Sequence, residues 1–266
     1  MDMQYNHIID AHTHVGSYRI YTPNIIGWFK IDLDQLRRYI AECNLDKVVL
    51  LSHPVTPDYR LSTPEEILLL SQQDERIIPF CTIDPRHDKK SKIDFFVKKG
   101  CRGIGEIKLD IPIDHPLMLD YLEYISGYNL PVVVHMSKHW CPNIERFKCI
   151  LPTIESPMIM HGWGWWNNFN NRKIEEIVEE YDNVYMDISA NSGYEALSAN
   201  REYTKHFLEK HPKHVLYGTD FPMLTLFDGT QFGTNLCHLK LLKSLDLSQG
   251  TIQKILYKNI ASLIST

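Results

Sequence analysis

Two histidines set two residues apart, His12 and His14 in the run IIDAHTHVG, open the chain's potential for chemistry. On an extended strand, residues i and i+2 project from one face, roughly 6.6 Å apart along the chain, so both imidazoles can grip a single cation. Similar side chains end later apolar runs: Glu106 and Lys108 in GIGEIKLD, His135 in VVVHMS, His161 in MIMHGWG and Asp220 in LYGTD. Imidazole suits Zn²⁺, Ni²⁺, Co²⁺ or Fe²⁺, with Mn²⁺ also admissible, and an aspartate adds a hard oxygen ligand that offsets the cation's charge. Any one of these histidines could be an ordinary hydrogen-bonding residue at a strand end, and Glu106 could be a core carboxylate paired with Lys108. Together they form an ordered set of metal-ligand types, with zinc the first expectation. A cation there would lower the pKa of a bound water toward ~7, Asp220 would take its proton, and His161 could help polarise a carbonyl.

Such residues must be delivered to one place by the fold. Eight short apolar runs recur: Ile8–Val15, Lys47–Ser52, Ile77–Ile83, Gly103–Leu109, Pro131–Met136, Met158–His161, Val184–Ile188 and Val215–Gly218. Their starts lie 26 to 39 residues apart, which is the length of a strand, a loop and a crossover helix. Runs such as VVLL and PVVV do not alternate in polarity, as expected of parallel strands buried on both faces. The intervening segments carry helix marks at Asp32, at Thr63-Pro64 and along Arg172–Tyr181, and the tail after about Asp246 reads as a final helix. Eight such units predict one α/β domain over residues 1–266, a single (β/α)₈ TIM barrel with its active site at the C-terminal ends of the strands. A doubly wound sheet would more often show a Gly-rich phosphate loop after its first strand, whereas Gly16 stands alone there.

Composition narrows the function classes. With 28 Lys and Arg against 33 Asp and Glu, the net charge is −5, and no stretch is dominated by basic residues. Nucleic acid and anionic lipid are therefore not expected as partners, and a small-molecule substrate is. The first ten residues lack a signal-peptide pattern and no run reaches the roughly 18 apolar residues of a membrane span, which points to a cytoplasmic protein, homo-oligomerisation being left open. Six cysteines without a C-x-x-C pair read as reduced thiols. Loops next to the candidate ligands offer substrate contacts: Arg19 and Tyr18 after H-x-H, Lys138 and His139 after the fifth strand, and Trp163 with Trp165 and Trp166 after His161. His53 and His87 read as loop residues after strands two and three. His211 and His214 precede strand eight and read as surface residues at the barrel's other end.

The ordered set His12, His14, Glu106 or Lys108, His135, His161 and Asp220 resembles the amidohydrolase superfamily, specifically its amidohydrolase-2 branch of metal-dependent TIM barrels. The resemblance covers nearly the whole chain and implies a metal-activated water acting on a small ester, lactone or amide. TatD-like phosphodiesterases are similar in length and in a GEIGLD-like fourth strand, but typically carry a glutamate near the last aspartate, where this chain has Gly218-Thr219-Asp220. A non-oxidative decarboxylase of a small carboxylic acid is the second enzymatic reading. A catalytically inactive metal-binding sensor is the third, which an intact Asp220 argues against. In a two-ion centre, Glu106 bridges, His12, His14 and Asp220 hold one ion, and His135 and His161 hold the other; a carbamylated Lys108 is the alternative bridge. In a one-ion centre, His12, His14, His135 and Asp220 suffice and His161 is free for acid/base work.

Overall fold

A computed structural model describes residues 7–22, 25–53, 59–136, 144–162, 171–222 and 237–265. The barrel strands are β1 (Ile9–Thr13), β4 (Lys47–Leu51), β6 (Ile77–Cys81), β7 (Gly103–Ile107), β8 (Val132–Val134), β9 (Met158–Met160), β10 (Val184–Asp187) and β11 (Val215–Leu216). They form one eight-stranded parallel sheet in that order. The ring closes where Ala11 N–H donates to Tyr217 C=O at 2.8 Å, Asp220 N–H to His12 C=O at 2.8 Å and His14 N–H to Phe221 C=O at 2.7 Å. The TIM barrel expected from the strand-helix spacing is therefore the fold, and each predicted run contains its strand.

The crossover helices are α1 (Leu33–Glu42), α2 (Pro64–Gln73), α3 (Lys90–Lys98), α4 (Pro116–Ser126), α5 (Ile144–Ile150), α6 (Asn171–Glu180), α7 (Ala190–Ala199), α8 (Arg201–Lys210) and α9 (Cys237–Ser244). A C-terminal run follows, α10 (Gln249–Gln253), a π-helical stretch Lys254–Lys258 and α11 (Asn259–Ile264). The signals at Asp32 and Thr63 are realised as capping boxes, in which each side chain accepts from the N3 backbone N–H and the N3 Gln35 or Glu66 side chain answers. Among the described residues no helix is long and apolar enough to cross a membrane. Cys43, Cys81, Cys101, Cys149 and Cys237 are free thiols; Cys141 lies outside the described residues.

An unforeseen element flanks the barrel. Strands β2 (Gly16–Thr22), β3 (Ile25–Ile31) and β5 (Tyr59–Leu61) form an antiparallel sheet in the order β3-β2-β5, inserted after β1 and β4. Its outer face carries exposed Arg19 opposite Trp28, and the Arg60 guanidinium lies 4.8 Å from the Trp28 ring centroid. Tyr18, next in the strand, is buried on the other face.

Two apolar layers follow from strand alternation. The larger joins Val48, Leu50, Ile104, Val132, Val134, Met158 and Met160 to the helices. The smaller takes the alternate positions Ile9, Ala11, Val49, Leu51, Ile78, Phe80, Val133, Ile159 and Leu216 inside the ring, with Ile260 and Leu263 of α11. Counting two residues onward from these inner positions reaches His53 after Leu51, His135 after Val133, His161 after Ile159 and, by way of Gly218, Asp220 after Leu216. The same count from the half-buried Tyr185 reaches Asp187. Parity therefore aims these five side chains at the barrel mouth.

Two strands depart from simple alternation. In β1, Asp10↔Val48 is followed by Thr13↔Leu50, and in β7, Ile104↔Val132 is followed by Ile107↔Val134, an extra residue in each case. A bulge re-aims the side chains beyond it, so His12 can follow the inward Ala11, and Glu106 can follow Gly103 and Gly105. Gly105 has φ +132, and a Cβ there would lie 2.7 Å from Val133 O and 2.9 Å from Val133 Cβ. Gly105→Ala is accordingly expected to cost about 1–3 kcal/mol of stability and to displace Glu106, seen as a lower denaturation midpoint.

Candidate functional site

The strand ends converge on one buried cluster. His12 Nε2 lies 3.1 Å from His14 Nε2 and 3.7 Å from Asp220 Oδ1, while His14 Nε2 lies 3.3 Å from Asp220 Oδ1 and 3.7 Å from Glu106 Oε2. Zinc ligands at about 2.0–2.1 Å in a tetrahedral shell stand about 3.3 Å from one another, which is the scale of these gaps. Glu106 turns its other oxygen, Oε1, to the Nδ1 of His135, and His53 Nε2 stands 3.7 Å from Oε2. Glu106, His135 and His161 make a second group of facing donors beside His12, His14 and Glu106.

The protonation pattern favours a cation. His14 Nδ1–H donates to the Leu51 carbonyl at 3.1 Å and His12 Nδ1–H to the Asp187 carboxylate at 2.9 Å. With Nδ1 committed as a donor in each ring, Nε2 is the atom left to face the other imidazole and a carboxylate oxygen, where it can take up a metal ion or a proton. Donors so arranged repel unless a positive charge lies among them. Burial by itself would pull the His12 imidazole down, but the carboxylates of Asp187, Asp220 and Glu106 outweigh it and raise it to about 9. Burial also works against ionisation of Glu106, yet the field of His135 and His161, the His135 hydrogen bond and the Lys108 ammonium hold it well below the usual carboxylate range. Asp187 and Asp220 are held low against burial by the histidines around them. Burial pushes the His135 imidazole down to about 4, against the pull of the Glu106 carboxylate. The cluster is thus rich in anionic oxygen and imidazole nitrogen, and the residues present fit a divalent metal.

Two residues of the site were not singled out from the sequence. Asp187 is fully buried and accepts from His12 Nδ1–H, from Gly162 N–H at 2.7 Å, and from the backbone N–H (3.1 Å) and hydroxyl of Ser189. It fixes the His12 ring as a carboxylate behind a metal-ligating histidine does, and Ser189 Oγ lies 2.9 Å from His161 Nδ1. His53, expected in a loop, is buried against Glu106, its ring centroid 6.1 Å from that of His14. The signal that finds both is the inner-face parity of β4 and β10.

Other expectations resolve differently. His12, His14, Glu106, His135, His161 and Asp220 are all brought together; Lys108 is half-buried and close enough for its charge to act on Glu106 and His135. Arg19 sits on the exposed face of the small sheet, and His87 is exposed. Lys138, His139, Trp163, Trp165 and Trp166 lie outside the described residues. The surface assignment of His211 and His214 is wrong, since both are buried beneath β10 and β11. His214 Nδ1–H donates to Val184 C=O at 2.6 Å, and His211 joins Glu175 and Glu179 in an acidic group whose cation is Lys210, 3.1 and 2.6 Å from the two carboxylates.

Buried His238 gives the fold an acid-sensitive element. Its Nε2–H donates to Ala190 C=O at 2.8 Å and burial pushes it down to about 4. The unfolded chain binds this proton near pH 6.5, so stability is full above that pH and is lost as pH falls toward 4, on the order of 3 kcal/mol in all. His238→Gln, which keeps a donor but not the titration, is expected to flatten the dependence of Tm on pH between 6.5 and 4.

Comparison with solved structures gives the same architecture. The chain superposes on a probable 2-pyrone-4,6-dicarboxylic acid hydrolase from Acinetobacter baumannii, with citric acid bound, at TM-score 0.71 and 16% identity, covering 97% of this chain and 99% of that one. It superposes on 5-carboxyvanillate decarboxylase LigW from Sphingomonas paucimobilis at 0.68 and 11%, over 98% and 99%. For a zinc-bound amidohydrolase from Burkholderia multivorans the values are 0.66 and 12%, over 97% and 99%. No curated protein matches the sequence. The profile of the amidohydrolase family matches residues 9–264, nearly the whole chain, and this protein belongs to that family.

Proposed function

We propose that the protein is a metal-dependent hydrolase that uses a metal-activated water on a small ester, lactone or amide. The observation that carries the reading is the placement of Asp220. It is ionised, its Oδ1 touches both His14 and His12, and its side chain is 10% exposed where Glu106 is 4% and Asp187 0%. It is the member of this acidic trio with the greatest access to the mouth. His12, His14 and Asp220 would hold one divalent ion, His135 and His161 a second, and Glu106, with one oxygen toward each group, would lie between them. The donor set and the zinc of the Burkholderia neighbour favour zinc, with Mn, Ni, Co or Fe next. A bound ion supplies Lewis acidity, which makes water acidic at neutral pH and polarises a carbonyl.

The chain's own groups do the rest. Asp220 accepts the proton of the attacking water and returns it to the leaving group. Ser189 fixes the His161 ring at Nδ1 as a ligand of the second ion, whereas in a one-ion centre the same ring would be free for acid/base work, and Lys108 attracts an anionic substrate. The reading is of a cytoplasmic enzyme of small metabolites. Decarboxylation of a small carboxylic acid is the second reading, favoured by the likeness to LigW. A panel of small lactones, esters and amides, run beside aromatic and aliphatic carboxylates with CO₂ detection, tests it. Turnover of a carbonyl substrate without CO₂ supports hydrolysis, and CO₂ release without hydrolysis overturns it.

A further inference from the structure

The seam between the first and last barrel strands is short of ladder hydrogen bonds, because β11 spans two residues and the chain leaves it as Tyr217-Gly218-Thr219-Asp220. What fills the gap is a carboxylate that the chemistry above does not use. Asp10 is fully buried and accepts four hydrogen bonds. Its Oδ1 takes His12 N–H and Thr219 N–H, each at 3.0 Å, and its Oδ2 takes the hydroxyls of Tyr39 and Thr219, each at 2.6 Å. Two backbone donors that a regular ladder would have paired are thereby satisfied, and α1 is tied through Tyr39 to the same point.

The next residue is Asp220, whose backbone has φ +61 although it is not glycine. A left-handed aspartate costs free energy and persists only where its neighbours over-determine it. Here they do: Thr219 is clamped by Asp10, Asp220 N–H donates to His12 C=O at 2.8 Å, Phe221 N–H donates to Thr219 Oγ1 at 3.1 Å, and Phe221 C=O accepts from His14 N–H at 2.7 Å. The three residues 219, 220 and 221 are pinned in turn to residues 10, 12 and 14 of β1. The same pins set the distance between the Asp220 carboxylate and the two imidazoles.

We propose that Asp10 and Thr219, steadied by Tyr39, are positioning residues that hold the carboxylate of Asp220 at ligand distance from His12 and His14. The inference rests on the reading of those three side chains as metal ligands. Asp10 and Thr219 are fully buried and act through the backbone of Asp220. A purely structural role would weaken the fold and leave the ligand field of a bound ion unchanged, which separates the two accounts.

The test uses the full chain, stripped of metal and titrated with Co²⁺, whose visible absorption reports ligand number and geometry. Thr219→Val removes the hydroxyl and keeps the shape; it is expected to bind Co²⁺ roughly 10- to 100-fold more weakly, with an altered spectrum. Thr219→Ser is expected to restore both, and Tyr39→Phe, which removes one donor from Asp10, to fall between. Far-UV circular dichroism and Tm establish that each variant is folded at the titration temperature. Should Thr219→Val fail to fold, Tyr39→Phe and Asp10→Asn carry the comparison. A folded Thr219→Val with wild-type Co²⁺ affinity and spectrum would overturn the proposal while leaving the metal centre standing. Wild-type protein that takes up no Co²⁺ would overturn the metal centre, and the proposal with it.

Discussion

Asp220→Asn is expected to lower kcat by about 10²- to 10⁴-fold, the loss typical of removing a general base, with the folding transition little changed. The substitution keeps an oxygen near His14 Nε2, 3.3 Å from Oδ1 in the wild type, and keeps the backbone pins to β1. What it removes is the negative charge and the capacity to accept a proton. Metal is therefore expected to bind more weakly, Asp220 being a ligand, and turnover to collapse even at saturating ion; elemental analysis beside steady-state kinetics with added metal reads both. A variant with kcat within a few-fold of wild type would remove Asp220 from the chemistry. Activity restored to the wild-type value by saturating ion would confine Asp220 to metal binding.

Asp187→Asn should act differently, through the ligands. Asp187 accepts four hydrogen bonds, from His12 Nδ1, Gly162 N–H, and the N–H and hydroxyl of Ser189. An asparagine offers one oxygen and turns an NH₂ toward a remaining donor, so a buried clash of donors replaces a satisfied acceptor. The His12 ring then loses the partner that fixes its tautomer. Metal affinity is expected to fall about 10- to 100-fold, and because Asp187 also anchors the His161–Gly162 turn, kcat/KM should fall further than metal loss at saturating ion explains. Competition against a chromogenic chelator measures the first effect. Unchanged affinity would show that the His12–Asp187 pair is structural.

The barrel was legible because its strands are continuous apolar runs at crossover spacing, and because Asp32 and Thr63 announce their helices with capping chemistry. The six principal candidates were legible because each ends such a run. The small sheet went unread although GSYRIYT and IIGWFKI pair with each other as neighbours in the chain, and its third strand, β5, meets β2 only across some forty intervening residues. Asp187 and His53 escaped for a different reason. Each looks like an ordinary strand end until the inner face of its strand is known, and that face is set by Tyr185 and Leu51 packing within the ring. In β1 and β7 the extra residue of a bulge carries His12 and Glu106 inward where strict alternation would not, and no local pattern marks that insertion. A position ahead of strand eight, at the barrel end away from the site, suggests a surface for His211 and His214, whereas packing on Phe207 and Tyr185 holds them inside.

The proposed chemistry requires divalent metal in the cluster around His12, His14, Glu106, His135, His161 and Asp220. Elemental analysis of protein purified without chelator or added metal, wild type beside Glu106→Gln, tests it most directly. About two equivalents of divalent ion per chain are expected, zinc foremost, falling in the variant because the carboxylate between the two groups has lost its charge. Wild-type protein with negligible metal, or a content that Glu106→Gln leaves unchanged, would contradict it.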